Sequence, residues 1–192
     1  MIDLISRIIF RNSRIFLLAF FIWFTITVFP YLIVLFNIEL DIPEQLRSFD
    51  NYLTNDITWH EIFIHNFISA TAMIILGNLS GGLIAVLLLV YNASIVAIAA
   101  YIAFLKGDSI GYSIMIFLPH GIFEVPAIFC SFLLGMSTFK ALINKIYSEE
   151  VIPNDSTKDK IAILIFMLLS LLVASIIEST VTPKFSAVFI NN

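Results

Sequence analysis

The sequence predicts an all-α integral membrane protein, a single transmembrane domain over residues 1–192 with about five membrane-spanning helices. Three observations predict it. The 192 residues are 60% hydrophobic and only 12% charged, with a mean hydropathy of +1.01; a soluble domain of this length needs more charge to cover its surface. The apolar residues are gathered into five runs, four of which easily reach the roughly 20 residues a bilayer demands. The segments between the runs hold the turn residues and most of the charge. The same composition limits function. A net charge of −4 offers no basic surface for nucleic acid. The single cysteine, Cys130, rules out an intramolecular disulfide and any multi-cysteine metal site. Lying in an apolar run, it reads as a small core residue.

The elements follow in chain order. Arg7, Arg11 and Arg14 fall on one face of a helix, with Ile5, Ile8, Ile9 and Phe10 largely opposite. Residues 1–14 therefore read as an amphipathic interfacial helix on the inner membrane surface, drawn to anionic lipid heads. The first span, about 14–36, is longer than a signal-peptide core and has no small-residue cleavage pattern, so it is expected to remain uncleaved. An acidic loop, 37–60, follows, carrying Asp41, Glu44, Asp50 and Asp56. The second span, about 61–77, is the short one. AsnLeuSerGlyGly at 78–82 is a turn signal. The third span is about 83–105, and LysGlyAsp at 106–108 marks the next turn. The fourth is about 110–136; its tail continues at helical spacing and carries Lys140 and Lys145 beyond the bilayer. A charged linker, 148–160, leads to the fifth span, about 161–179, stopped by Pro183.

Five spans put the two termini on opposite sides. With the N-terminus inside, the inner segments hold Arg7, Arg11, Arg14, Lys140, Lys145, Lys158 and Lys160, against Arg47, Lys106 and Lys184 outside. The positive-inside rule then predicts a multi-pass protein of the cell membrane with a cytoplasmic N-terminus and an extracytoplasmic C-terminus.

Ionisable residues inside the spans narrow the search for a site. A charge at the bilayer centre costs about 2.5–3.5 kcal/mol on insertion scales, so such groups must face protein or water. His120 and Glu124 lie in the stretch LeuProHisGlyIlePheGluValPro at 118–126, four residues apart and hence on one helix face. Pro119 suits the first turn of a helix better than its interior. The fourth span is therefore expected to break there, with 110–118 a short or re-entrant piece and a longer helix running from Pro119 toward Tyr147. Gly121 would allow close backbone approach. Together with Glu178, Asn66 and Asn92, this pair forms the candidate polar core or ion and substrate site; nothing in the sequence alone brings the five together. The pair can serve as a hydrogen-bonded structural network, share a proton as a relay, or bind a divalent metal such as zinc if Glu178 adds a third ligand. The spacing differs from the HExxH zinc pattern, and no serine stands out as a nucleophile. His60 and His65, with Glu61, read as interfacial residues flanking the second span.

The order of these residues carries a resemblance. Asn66, Gly81–Gly82, Asn92, LeuProHisGly at 118–121 with Glu124, and SerIleIleGluSerThrValThrPro at 175–183 resemble the stage II sporulation protein M family. The likeness covers nearly all the chain from the second span onward. LeuProHisGly followed by Glu124 is its most specific part. The chain departs from the family pattern at His65–Asn66, where a paired Asn is usual, and at Asn92–Ala93, where Asn–Gly is usual. The resemblance implies a polytopic membrane protein of about five helices. In spore-formers the family member is a membrane scaffold that holds cell-wall-degrading partners, and related proteins occur in organisms that make no spores. The family's shared positions map to His120, Glu124, Glu178, Asn66 and Asn92. The expectation is a non-enzymatic scaffold or assembly protein, without a cofactor, partnered by lipids, other membrane proteins or further copies of itself. A small transporter or channel using His120–Glu124 as a proton or ion relay, and an intramembrane metal-dependent hydrolase, are the alternatives.

Overall fold

The computed structural model describes residues 2–36, 58–105, 110–148 and 150–181. Most of the acidic loop, the LysGlyAsp turn and the stop at Pro183 lie outside the described residues. Among those residues there are seven helices and no strand: α1 (Ile2–Arg11), α2 (Ser13–Leu35), α3 (Trp59–Leu79), α4 (Leu83–Leu105), α5 (Ile110–Gly135), α6 (Ser137–Tyr147) and α7 (Thr157–Thr180). Five stretches are long and apolar enough to cross a membrane: Ser13–Ile33, Trp59–Leu79, Leu83–Phe104, Phe117–Gly135 and Thr157–Thr180. The chain is thus an all-α polytopic membrane protein. Its outer surface is apolar, with Phe21, Phe29, Ile68, Leu87 and Ile122 among the exposed side chains. Such an exterior is stable only against lipid.

α5 and α7 make the most extensive pair, α2 lies against α4, and α3 touches α4, α5 and α7. Small residues set the closest crossing, as expected where helices pack without a hydrophobic driving force between them. A Cβ built on Gly135 would lie 2.6 Å from the Met73 carbonyl oxygen, and one on Gly77 would lie 2.8 Å from the Ala85 Cβ. The turn between α3 and α4 runs through Gly81 and Gly82, whose φ angles of 61° and 95° favour glycine. A Cβ on Gly82 would also reach 2.7 Å from the Met136 Sδ.

The expected break at Pro119 is corrected. α5 is continuous through both Pro119 and Pro126. The chain breaks instead after Gly135, where Met136 separates α5 from α6. A proline inside a helix removes one N–H and leaves one carbonyl without its usual partner. Ending a helix at membrane depth leaves several such groups without partners, so the continuous helix is the less costly arrangement. Gly121 is corrected too. A Cβ there would meet nothing within 4 Å among the described residues, so it marks no close approach between them.

α1 is docked on protein as well as amphipathic. Ile5 and Ile8 are buried in the core, whereas Phe10 is 84% exposed.

Candidate functional site

The fold brings together three of the five sequence candidates. His120 and Glu124 lie one turn apart on α5, and Glu178 lies on α7, the helix that packs most extensively against it. A ligating atom from each, an imidazole nitrogen and two carboxylate oxygens, falls within 4.8 Å of the others. His120 is buried and the two glutamates are half-buried. The Phe117 ring stands edge-on to the His120 ring, with centroids 6.0 Å apart. These are nitrogen and oxygen donors of the kind that hold divalent cations, at ligand distances of about 2.0–2.2 Å.

Several other polar groups picked out in the spans hydrogen-bond elsewhere. Asn92 on α4 exchanges hydrogen bonds with Ser69 on α3, the Ser69 hydroxyl donating to Asn92 Oδ1 at 3.3 Å and Asn92 Nδ2 donating to Ser69 Oγ at 3.2 Å. Asn92 Nδ2 also donates to the Leu88 carbonyl at 2.7 Å. Asn66 is half-buried on α3, three residues before Ser69. Ser175, one turn before Glu178, donates to the Leu171 carbonyl at 2.7 Å. Ser131 donates to the Ala127 carbonyl at 2.9 Å. His60 and His65 are exposed at the start of α3, and Cys130 is buried.

A second polar centre lies at the opposite end of the bundle, and the sequence reading missed it. Asp155, in the linker before α7, accepts hydrogen bonds from Arg11 at 2.6 Å, from Asn12 Nδ2 at 2.8 Å and from the Lys140 ammonium. Lys140 also donates to Asn12 Oδ1 at 2.6 Å, and Arg11 reaches Asp159 at 2.7 Å. The Lys140 and Asp155 side chains are each only 1% exposed. Five residues from α1, the α1–α2 junction, α6, the linker and the first turn of α7 are thereby joined. Burial pulls the Lys140 ammonium below its ordinary value, and the nearby cations Arg11 and Lys160 add to that, with Asp155 opposing. Burial pushes Asp155 up, but its three donors outweigh that and hold it below the usual carboxylate range. Arg11 is raised, first by its hydrogen bond to Asp159 and then by that to Asp155. The charges were visible in sequence as a topology signal. Their pairing was not, because Arg11 and Asp155 are separated by most of the chain.

Asn78 does the same work for the break between α5 and α6. Its amide donates to the Leu134 carbonyl at 2.9 Å, freed by the helix end, and its Oδ1 accepts from the Thr138 N–H at 3.1 Å. The sequence marked Asn78 only as part of a turn.

Comparison with known proteins adds one match. A family model described as Stage II sporulation protein M matches residues 38–183. No curated protein and no solved structure matches the chain. The family match covers well over half of the sequence, including every residue of the α5–α7 triad, and the chain belongs to the stage II sporulation protein M family.

Proposed function

We propose that this chain is an integral membrane scaffold or assembly protein of the cell membrane, acting through other membrane proteins or through further copies of itself. One observation carries the reading: a set of polar side chains hydrogen-bonds across elements and fastens helix to helix. The Arg11–Asn12–Lys140–Asp155–Asp159 cluster ties together α1, α6 and the start of α7. Asn78 ties the end of α3 to the α5–α6 junction, and Asn92–Ser69 ties α4 to α3. A frame locked in this way holds a fixed outer surface, which is what docking of partners requires. The positive-inside count supports a cytoplasmic location for the cluster and the N-terminus.

The test combines assembly with transport. Photo-crosslinkers are placed in membranes at Ile146 and Tyr147, both exposed on α6 beyond the spans. A discrete adduct that disappears in the Asp155→Ala variant is the expected result. Purified chain in liposomes is expected to move neither protons nor divalent cations. The convergence of His120, Glu124 and Glu178 favours a second reading, a small transporter or channel using them as a relay. Gradient-driven flux that Glu124→Gln abolishes would establish that reading and overturn the scaffold.

A further inference from the structure

Among the described residues the spans carry few charges, and their placement gives the triad no lysine or arginine from a spanning stretch. Arg14, Lys158 and Lys160 are the lysines and arginines within the five spanning stretches, and all three lie at the helix ends nearest the Asp155 cluster. Glu124 and Glu178 sit in the other half of the bundle, on two different helices, close enough to share one cation with His120. Two carboxylates taken out of water side by side repel, and buried charges persist when they are paired or ligate a metal. Imidazole with two carboxylates matches the donor preference of zinc and similar divalent transition-metal ions. The i, i+4 spacing puts two ligands on one helix face, and the third comes from the facing helix, the way metal sites are built within helical bundles.

We propose that His120, Glu124 and Glu178 form a divalent-cation site that cross-links α5 to α7 inside the membrane. The ion takes the imidazole as a neutral nitrogen donor and both carboxylates as anions, so its two positive charges cancel theirs. It fastens the bundle at the end opposite the Asp155 cluster. The site is separate from the scaffold reading, since ion binding is measured on the isolated chain with no partner present.

Purified full-length chain in detergent, stripped with a chelator and titrated with zinc chloride, tests it. The expected result is about one zinc per chain in wild type and a higher thermal unfolding temperature with zinc than without. Glu178→Gln and Glu124→Gln weaken binding by at least the roughly 10–100-fold that loss of even a supporting residue costs. The double variant His60→Ala/His65→Ala keeps the ion, which separates this site from the exposed histidines. Cobalt(II) spectra of wild type avoid dependence on variants that fail to fold. Ligand-field bands without a thiolate charge-transfer band support the site, whereas a thiolate band would move the ion to Cys130 and overturn it. No zinc-dependent stabilisation, or zinc uptake undiminished in Glu178→Gln, would also overturn it; stabilisation by acid alone, with no response to metal, would assign the triad to proton sharing instead.

Discussion

Removing the Asp155 carboxylate should be among the most damaging single changes outside the membrane. In Asp155→Ala, Arg11 keeps Asp159 at 2.7 Å and is 37% exposed, so its loss amounts to less than about 1 kcal/mol. Asn12 keeps the Ile8 carbonyl at 3.0 Å. Lys140 fares worst. Its side chain is 1% exposed, and after the change its ammonium retains only the neutral Asn12 Oδ1 among the partners described. An uncompensated buried charge of this kind costs about 3–5 kcal/mol, which sets the predicted loss. The double variant Lys140→Met/Asp155→Ala removes the stranded charge and should recover a large part of it, giving a coupling of about 1.5 kcal/mol or more in a double-mutant cycle. The assay is equilibrium unfolding in mixed micelles, read by helix content. The linkage sign is fixed by the lowered Asp155 value: its stabilisation is present above the ordinary carboxylate value of 3.8 and is lost as pH falls through the lower folded value. The gap between wild type and Asp155→Ala should therefore be constant near neutral pH and narrow below about pH 4. A single-variant loss under about 1 kcal/mol, or a double variant no more stable than Asp155→Ala, would refute the reasoning.

Four further outcomes follow from packing and hydrogen bonding. Gly135→Ala drives a methyl to 2.6 Å from the Met73 carbonyl, which is backbone and cannot rotate away; it should destabilise by about 1–3 kcal/mol. Gly121→Ala, with no described residue within 4 Å of the added methyl, should be neutral or stabilising by up to about 1 kcal/mol, and equal melting shifts for the two would contradict the crossing geometry. Pro119→Ala should preserve the fold and raise the melting temperature by restoring an N–H within the continuous α5; marked destabilisation would revive a helix start at Pro119. A Ser69→Ala/Asn92→Ala cycle should give a coupling of about 0.6 kcal/mol, typical of hydrogen bonds between membrane helices, and zero coupling would mean that the pair does not fasten α3 to α4.

The sequence by itself determined the five long apolar helices, because lipid imposes a length and an apolarity on each crossing helix that can be read residue by residue. Ser13–Ile33, Trp59–Leu79 and Leu83–Phe104 fall close to the runs read at about 14–36, 61–77 and 83–105. It also singled out His120, Glu124 and Glu178, since hydrocarbon makes ionisable groups conspicuous. What only the tertiary structure decided is which groups meet. Convergence of Glu178 with His120 depends on how α7 lies along α5, and that packing has no local periodicity to betray it. The same holds for Arg11, Lys140 and Asp155, each an ordinary flanking charge until the folded bundle buries two of them together. The path of the chain through Pro119 was likewise decided by the whole helix: the local preference of one proline is outweighed by the backbone groups that a break at that depth would leave without partners.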